Sequence, residues 1–167
     1  MKTSKLFSGI TILALFALLA CKKENESTIR VRMTDAPASL NEVNIDLKQV
    51  NIKFQSDTTS WTSMSTRPGI YDLLKLQNGI DTLIAEGTFP TGTVKEIRLV
   101  LGDNNTVKAG GTTYPLTIPS GSESGLKIKV NKKLSKPVEE LLIDFDALLS
   151  VQKETDGYKL RPVIKLK

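Results

Sequence analysis

The sequence contains no histidine and only one cysteine in 167 residues. Without histidine it lacks the commonest general base, the serine triads built on it and the usual zinc ligands. A single thiol also excludes a disulfide within the chain. The longest apolar run, residues 6–19, is shorter than the roughly 20 residues that a transmembrane helix needs. We therefore expect a protein that is not an enzyme and does not span a membrane by a helix.

The N-terminus has the order of a secretory signal peptide. Lys2 and Lys5 precede the apolar run, and the small residue Ala20 closes it. Positive charge, a short apolar segment and a small residue in that order predict a signal peptide over residues 1–20. The alternative, an uncleaved anchor helix, is disfavoured by the length of the run.

The only cysteine stands where the apolar run ends. Leu18-Leu19-Ala20-Cys21 resembles the lipobox of bacterial lipoproteins. The resemblance implies cleavage between Ala20 and Cys21, a diacylglyceryl group on the Cys21 sulfur and an acyl chain such as palmitate on the new amine. Two or three acyl chains anchor a protein firmly, at about 0.8 kcal/mol per buried methylene. The expected membrane partner is thus reached through Cys21.

A polar stretch follows the cysteine, and we predict a flexible tether over residues 21–27. Lys22 stands where an aspartate would resemble the inner-membrane retention signal of enteric bacteria. The mixed charges resemble the tethers of surface lipoproteins of Bacteroidetes. Both resemblances imply an outer-membrane location, on the periplasmic face or the cell surface.

The chain has a formal net charge of +5, which falls to +3 when Lys2 and Lys5 leave with the signal peptide. The remaining basic residues are dispersed, and the few aromatic residues are not interleaved with them. Nucleic-acid binding proteins cluster basic residues beside stacking aromatics. We therefore predict no nucleic-acid partner.

Apolar and polar residues alternate with a period of two along most of the mature chain, and turn sequences separate the runs. This pattern predicts a single all-β domain over residues 28–167, an antiparallel β-sandwich of about eight to ten strands. Gly110-Gly111 and Asp156-Gly157 predict tight hairpins. The alternation changes phase near Lys48-Gln49, which predicts a β-bulge. Pro115 predicts an edge strand.

Residues 139–149 fit both helical and strand periods. Leu141, Leu142 and Phe145 fall on a helical face, whereas Leu141, Ile143 and Phe145 also share a strand face. The neighbouring strands and the β-branched Ile143 favour a strand through Asp146, with a helical turn after it.

Several segments between residues 28 and 167 together resemble a family of bacterial envelope lipoproteins, domain-of-unknown-function family 4382. The matching segments are Thr34-Asp35-Ala36-Pro37, Tyr71-Asp72-Leu73-Leu74-Lys75-Leu76, Ile97-Arg98-Leu99-Val100-Leu101-Gly102, residues 119–127, Ile143-Asp144-Phe145-Asp146-Ala147 and Tyr158-Lys159-Leu160-Arg161-Pro162-Val163. The resemblance implies an immunoglobulin-like or transthyretin-like sandwich. It supplies no catalytic residues, because that family has no established activity.

One group of oxygen-bearing side chains suggests a metal. Asp144 and Asp146 would share a strand face and, with the turn Asp103-Asn104-Asn105, could form a calcium site. The favoured alternative pairs both aspartates with Lys127 and Lys129 on neighbouring strands, while residues 103–105 simply turn the chain. No cofactor other than calcium is suggested.

Two further features suggest recognition of a ligand. The loop that contains Ser120, Ser122, Glu123 and Ser124 offers hydroxyls and amides to a sugar or peptide, although a plain flexible connection is favoured. Trp61, the only tryptophan, could stack on a sugar, although a core or half-buried position is favoured for so large an apolar side chain.

Asp35 lies in a turn after the first predicted strand. Hydrogen bonding to amides of its own turn accounts for an aspartate there better than a ligand does.

Three functions remain open. The first is a lipid-anchored, non-enzymatic module that binds a glycan or an envelope protein. The second is a structural or adhesive surface protein that assembles through an edge strand. The third is a carboxylate-dependent hydrolase that uses a pair such as Asp144 and Asp146.

Overall fold

The computed structural model describes residues 25–36, 40–57, 59–119 and 125–167. These residues form two mixed β-sheets packed against each other, which confirms the all-β sandwich. The strands are β1 Glu26–Thr34, β2 Glu42–Phe54, β3 Thr62–Ser63, β4 Ser65–Thr66, β5 Gly69–Asp72, β6 Thr82–Pro90, β7 Thr93–Leu101, β8 Thr106–Ala109, β9 Thr112–Thr117, β10 Leu126–Lys133, β11 Val138–Phe145, β12 Val151–Glu154, β13 Gly157–Leu160 and β14 Ile164–Leu166. A 3₁₀-helix, η1 Leu73–Leu76, and one α-helical turn, α1 Ala147–Ser150, complete the described elements. The strands outnumber the predicted eight to ten because several are only two to four residues long.

The first sheet has the strand order β14-β11-β1-β6-β4. The second has the order β10-β7-β2-β8-β9-β13-β12, and β3 and β5 also pair with the long strand β2. Each sheet contains one parallel pair: β1 with β11, and β9 with β13. The remaining described pairs are antiparallel, as the predicted antiparallel sandwich requires, but these two parallel pairs were not predicted. Strands far apart in sequence need no tight hairpin, so they can pair in either direction.

The core is built from the apolar side of the predicted alternation. Ile29, Val31 and Met33 are fully buried on β1, and the polar residues between them are partly exposed. On β2 the buried positions change parity around Lys48, where the pairing register with β7 also shifts. This confirms the predicted bulge, which lets both Leu47 and Val50 face the core.

Glycine sets the turn between β8 and β9. Gly110 and Gly111 have φ angles of 57° and 84°, as the tight hairpin turn requires, so the prediction is confirmed. The hairpin of β12 and β13 is also confirmed, but its turn residues are Thr155 and Asp156, and Gly157 already pairs with Glu154.

Pro115 does not mark an edge strand. β9 lies between β8 and β13, so that prediction was wrong. The parallel pairing with β13 begins only at Leu116, one residue after the proline. The missing amide of Pro115 therefore faces no ladder partner on that side.

Residues 139–149, which fit both periods, form the end of a strand followed by a helical turn, as predicted. β11 ends at Phe145, and the side chain of Asp146 caps α1 by accepting a 3.0 Å hydrogen bond from the amide of Leu149. A capping aspartate satisfies an amide that the first helical turn leaves without a partner.

The domain begins slightly earlier than expected. β1 starts at Glu26, and Ser27 is fully buried, with its hydroxyl donating to the carbonyl of Lys136 at 2.7 Å. Residues 26–27 thus belong to the sandwich rather than the tether. Ala20, Cys21 and the rest of residues 1–24 lie outside the described residues. Within the described part of the chain, no helix is long and apolar enough to cross a membrane.

Candidate functional site

The strands β9, β12 and β13 form one flank of the second sheet. β13 pairs with β9 through Tyr158 opposite Leu116 and Lys159 opposite Thr117. The Thr117 hydroxyl also donates to the carbonyl of Tyr158 at 3.3 Å. This pairing brings together two tyrosines that are far apart in the sequence.

The rings of Tyr114 and Tyr158 lie 5.1 Å apart between centroids and are tilted by 46°. Each tyrosine stands two residues before a buried leucine on its own strand, Leu116 on β9 and Leu160 on β13. Side chains two apart on a strand point to the same face. The rings therefore continue the core-facing side beyond the last buried residue, and Tyr114 is exposed there.

A cleft of about 330 Å³ opens beside the two rings. Pro115, Thr117, Glu154 and Lys159 contribute to its walls together with the tyrosines. A second depression of about 390 Å³ adjoins the same ring pair and the β12–β13 turn. We call these two depressions, with Tyr114 and Tyr158 between them, the tyrosine cleft.

The polar side of the tyrosine cleft is an ion network. The Glu154 carboxylate receives a short contact from the Lys159 ammonium group and lies 3.3 Å from a guanidinium nitrogen of Arg161. The hydrogen bond from Lys159 holds the pKa of Glu154 below its ordinary value, and the charge of Arg161 acts in the same direction. Glu154 is therefore an ionised acceptor at neutral pH, and a poor source of a catalytic proton.

This combination of groups suits a ligand with both apolar and hydroxylated faces. Aromatic rings offer a flat apolar surface, and carboxylate and ammonium groups fix the orientation of polar substituents. A pyranose ring has such faces, since its axial C–H bonds form an apolar side and its hydroxyls point outward.

Trp61 immediately precedes β3 and is half-buried, as the favoured interpretation predicted. The Lys53 ammonium lies 4.4 Å and the Arg98 guanidinium 4.5 Å from its ring centroid. Two cationic side chains of the protein therefore already contact the Trp61 ring through cation–π interactions. Trp61 is thus a weaker stacking platform than the tyrosine pair.

The residues suggested as a calcium site have other partners. Asp144 is buried on β11, with Lys165 and Lys167 at 3.4 and 3.3 Å from its Oδ2 atom. The alternative pairing with Lys127 and Lys129 was therefore wrong for Asp144, because those lysines lie on β10 in the other sheet. Asp146 caps α1. Among the described residues, no three acidic, cysteine or histidine side chains are grouped as a metal site would require.

The turn Asp103-Asn104-Asn105 is organised around Asp46 of β2. The backbone amide and side-chain nitrogen of Asn104 each lie 3.3 Å from the Oδ2 atom of Asp46, and Lys48 contacts Oδ1 at 2.9 Å. Burial alone would raise the pKa of Asp46, but the bonds from Lys48 and Asn104 outweigh it and lower the pKa. The Asn105 side chain in turn accepts from the Asp46 amide at 2.9 Å. These contacts give the turn a structural role.

Asp35 also has partners that its local sequence does not reveal. Its carboxylate accepts hydrogen bonds from the Ala147 amide at 2.8 Å and the Gln77 side chain at 3.1 Å. The expectation that Asp35 bonds within its own turn thus missed its main partners. Burial raises the pKa of Asp35 despite these hydrogen bonds. Through these hydrogen bonds, Asp35 connects the end of β1 to the segment after η1 and to the start of α1.

The hydroxyl-rich loop with Ser120, Ser122, Glu123 and Ser124 lies outside the described residues. The sequence did not predict the tyrosine cleft, because the alternation of apolar and polar residues does not single out Tyr114 or Tyr158. The available signal was two tyrosines beside two tight hairpin turns, but nothing in the sequence pairs β9 with β13.

The family model described as Domain of unknown function (DUF4382) matches residues 26–162. The chain belongs to this family. The match covers all strands from β1 to β13, so the DUF4382 domain of this chain includes the tyrosine cleft. No curated protein and no solved structure matches the chain.

Proposed function

We propose that this DUF4382 protein is a lipid-anchored, non-enzymatic binding module of the bacterial outer membrane, and that it binds a glycan in the tyrosine cleft. The observation on which the proposal rests is the ring pair of the exposed Tyr114 and the partly buried Tyr158, 5.1 Å apart, beside the ionised Glu154. The lipobox resemblance around Cys21 supports the lipid anchor.

The chemistry of the cleft favours binding over hydrolysis. A glycosidase needs one carboxyl group that keeps its proton near neutral pH and a second that is ionised. Glu154 has a lowered pKa and two cationic neighbours, so it suits the second role and not the first. Asp144 is held by two lysines on the first sheet, which removes it from a catalytic pair with Asp146.

Assembly through an edge strand has less support. The longest edge strand of the described residues, β10, has four lysines in eight residues, and its register with β7 shifts between Lys129 and Lys132. Lysines and bulges on an edge strand are the features by which proteins prevent strand addition.

A protein ligand is the second candidate, and one surface favours it. Leu148 and Leu149 on α1 are exposed, and so is Val163, whose amide donates to the Ser150 hydroxyl at 2.8 Å. Three exposed apolar side chains around one helical turn suit a small contact with another envelope protein.

A glycan array tests the proposal with the mature chain from residue 21, in which Cys21→Ser prevents lipid attachment. The core residues of the described chain lie between Ile29 and Leu160, so this form retains the whole core. We expect a defined set of glycans to bind, and the double variant Tyr114→Ala/Tyr158→Ala to lose them. An array without any specific signal, or one unchanged in the double variant, would refute the glycan proposal.

A further inference from the structure

The segment from Leu126 to Val138 contains five lysines and no acidic residue. We call these five residues the lysine strip: Lys127, Lys129, Lys132, Lys133 and Lys136. All five are exposed, on β10 and the turn that follows it. β10 pairs only with β7 and so forms an edge of the second sheet.

Acidic groups near the lysine strip are mostly occupied by other partners. The buried Glu139 lies 3.8 Å from Lys132, but its Oε1 atom also accepts hydrogen bonds from the amides of Ser135 and Lys136. Glu96 lies opposite Lys129 in the register of β10 with β7, but its carboxylate lies 3.7 Å from the Lys53 ammonium. Within the described ranges, Lys127, Lys129, Lys133 and Lys136 have no acidic group within ion-pair distance. The strip therefore presents net positive charge to its surroundings.

One end of the lysine strip lies beside the start of the domain. The carbonyl of Lys136 accepts from the Ser27 hydroxyl at 2.7 Å, and the carbonyl of Pro137 accepts from the Thr28 amide at 2.9 Å. From Cys21 to Asn25 even a fully extended chain spans at most roughly 14 Å. A lipid on Cys21 would thus hold this end of the sandwich close to the headgroup layer.

Edge protection alone explains only part of this arrangement. It accounts for lysines along β10, but the positive-φ residue Asn131 and the register shift already interrupt that edge. Lys136 lies beyond the strand, where no edge needs protection. Because Lys136 lies beside the tethered end of the domain, its positive charge would come close to the membrane surface.

We propose that the lysine strip docks the domain on phosphate-bearing lipid headgroups. The strip acts as a second membrane contact that complements the anchor, so this inference rests on the lipid-anchored function proposed above. Lysines near an anionic surface each strengthen binding by roughly fivefold, and the effect falls off within a Debye length. The short tether lets Lys133 and Lys136 approach the headgroups to within that range. Docking would also fix the orientation of the sandwich, and hence of the tyrosine cleft, relative to the membrane.

Vesicle co-sedimentation tests this docking without any lipid on the protein. The mature Cys21→Ser chain is mixed with vesicles of phosphatidylcholine alone, or of equal parts phosphatidylcholine and phosphatidylglycerol. We expect binding only to the anionic vesicles, with loss at high salt. The variant Lys133→Gln/Lys136→Gln should bind about 25-fold more weakly. The control Lys75→Gln/Lys108→Gln removes the same charge elsewhere and should bind as the parent does.

Equal binding to both vesicle types, or equal loss in the test and control variants, would overturn the proposal. Binding to heparin but not to anionic vesicles would also overturn it, and would assign the strip to an acidic glycan. Lipid labelling of the unmutated chain in cells separates the two proposals. If the unmutated chain is labelled but the Cys21→Ser chain does not bind anionic vesicles, only the docking proposal is contradicted. If the unmutated chain is not labelled but the Cys21→Ser chain binds these vesicles, only the anchor proposal is contradicted.

Discussion

The carboxylate of Asp35 accepts a 2.8 Å hydrogen bond from the backbone amide of Ala147, which lies 112 residues further along the chain. The same aspartate accepts from Gln77, so one buried side chain joins the end of β1, the segment after η1 and the start of α1. Burial raises its pKa, because the charged form loses more hydration than its hydrogen bonds replace.

The first prediction concerns Asp35→Ala. The substitution leaves the buried Ala147 amide without an acceptor, so we expect a loss of about 1–3 kcal/mol in the free energy of unfolding. Asp35→Asn keeps an acceptor oxygen and should lose less. Urea unfolding at neutral pH measures both. Equal losses in the two variants would show that the hydrogen bond to Ala147 is not what stabilises this junction.

The pH dependence of the unfolding free energy at Asp35 gives a second prediction. Because the folded-state pKa of Asp35 is raised above its unfolded value, the proton favours folding. The contribution is present below the unfolded pKa and is lost as the pH rises through the folded-state pKa. The difference in unfolding free energy between the native chain and Asp35→Asn should therefore fall across that range. A difference that stays constant with pH would contradict the raised pKa.

The close packing around Asp46 predicts that Gly102 cannot be replaced by a larger residue without loss of stability. A Cβ atom on Gly102 would lie 2.3 Å from both the Asp46 carboxylate and the Lys48 side chain. We expect Gly102→Ala to destabilise the fold by about 1–3 kcal/mol, the usual cost of overpacking. Gly69→Ala is the matched control, since its Cβ would meet nothing within 4 Å. Thermal unfolding that ranks the two variants equally would argue against a tightly built Asp46 turn.

Lipid attachment is tested at Cys21. In a bacterial host, Cys21→Ser should abolish labelling by a radioactive fatty acid and release the domain from membranes, because the thiol is the only site for the diacylglyceryl group. Membrane fractionation after carbonate extraction reads the outcome. If the variant remains in the membrane fraction, the uncleaved-helix interpretation of residues 1–20 is correct.

The sequence predicted those features of the fold that depend on local patterns. The phase change at Lys48 revealed a bulge, and Gly110-Gly111 revealed a hairpin, because both leave a signature within a few residues. Asp146 lies where a strand period gives way to a helical turn, and that boundary was also predicted closely.

The features that the sequence did not reveal depend on partners distant in the chain. Nothing local indicates that β1 pairs with β11 in parallel, or that Lys165 and Lys167 neutralise Asp144. The tyrosine cleft has the same origin, since Tyr114 and Tyr158 meet only because β13 joins β9. Alternation specifies which face a side chain takes, but it does not specify which strand lies beside it.

Titration calorimetry with a glycan selected on the array measures binding in the tyrosine cleft. Tyr114→Ala and Tyr158→Ala each remove a ring from the cleft and should weaken binding by about 10- to 100-fold, as expected for an aromatic anchor. Trp61→Ala removes a ring outside the cleft, and that variant should bind as the native chain does. Unchanged affinity in both tyrosine variants, with a loss in Trp61→Ala, would contradict binding in the tyrosine cleft and place the binding site at Trp61.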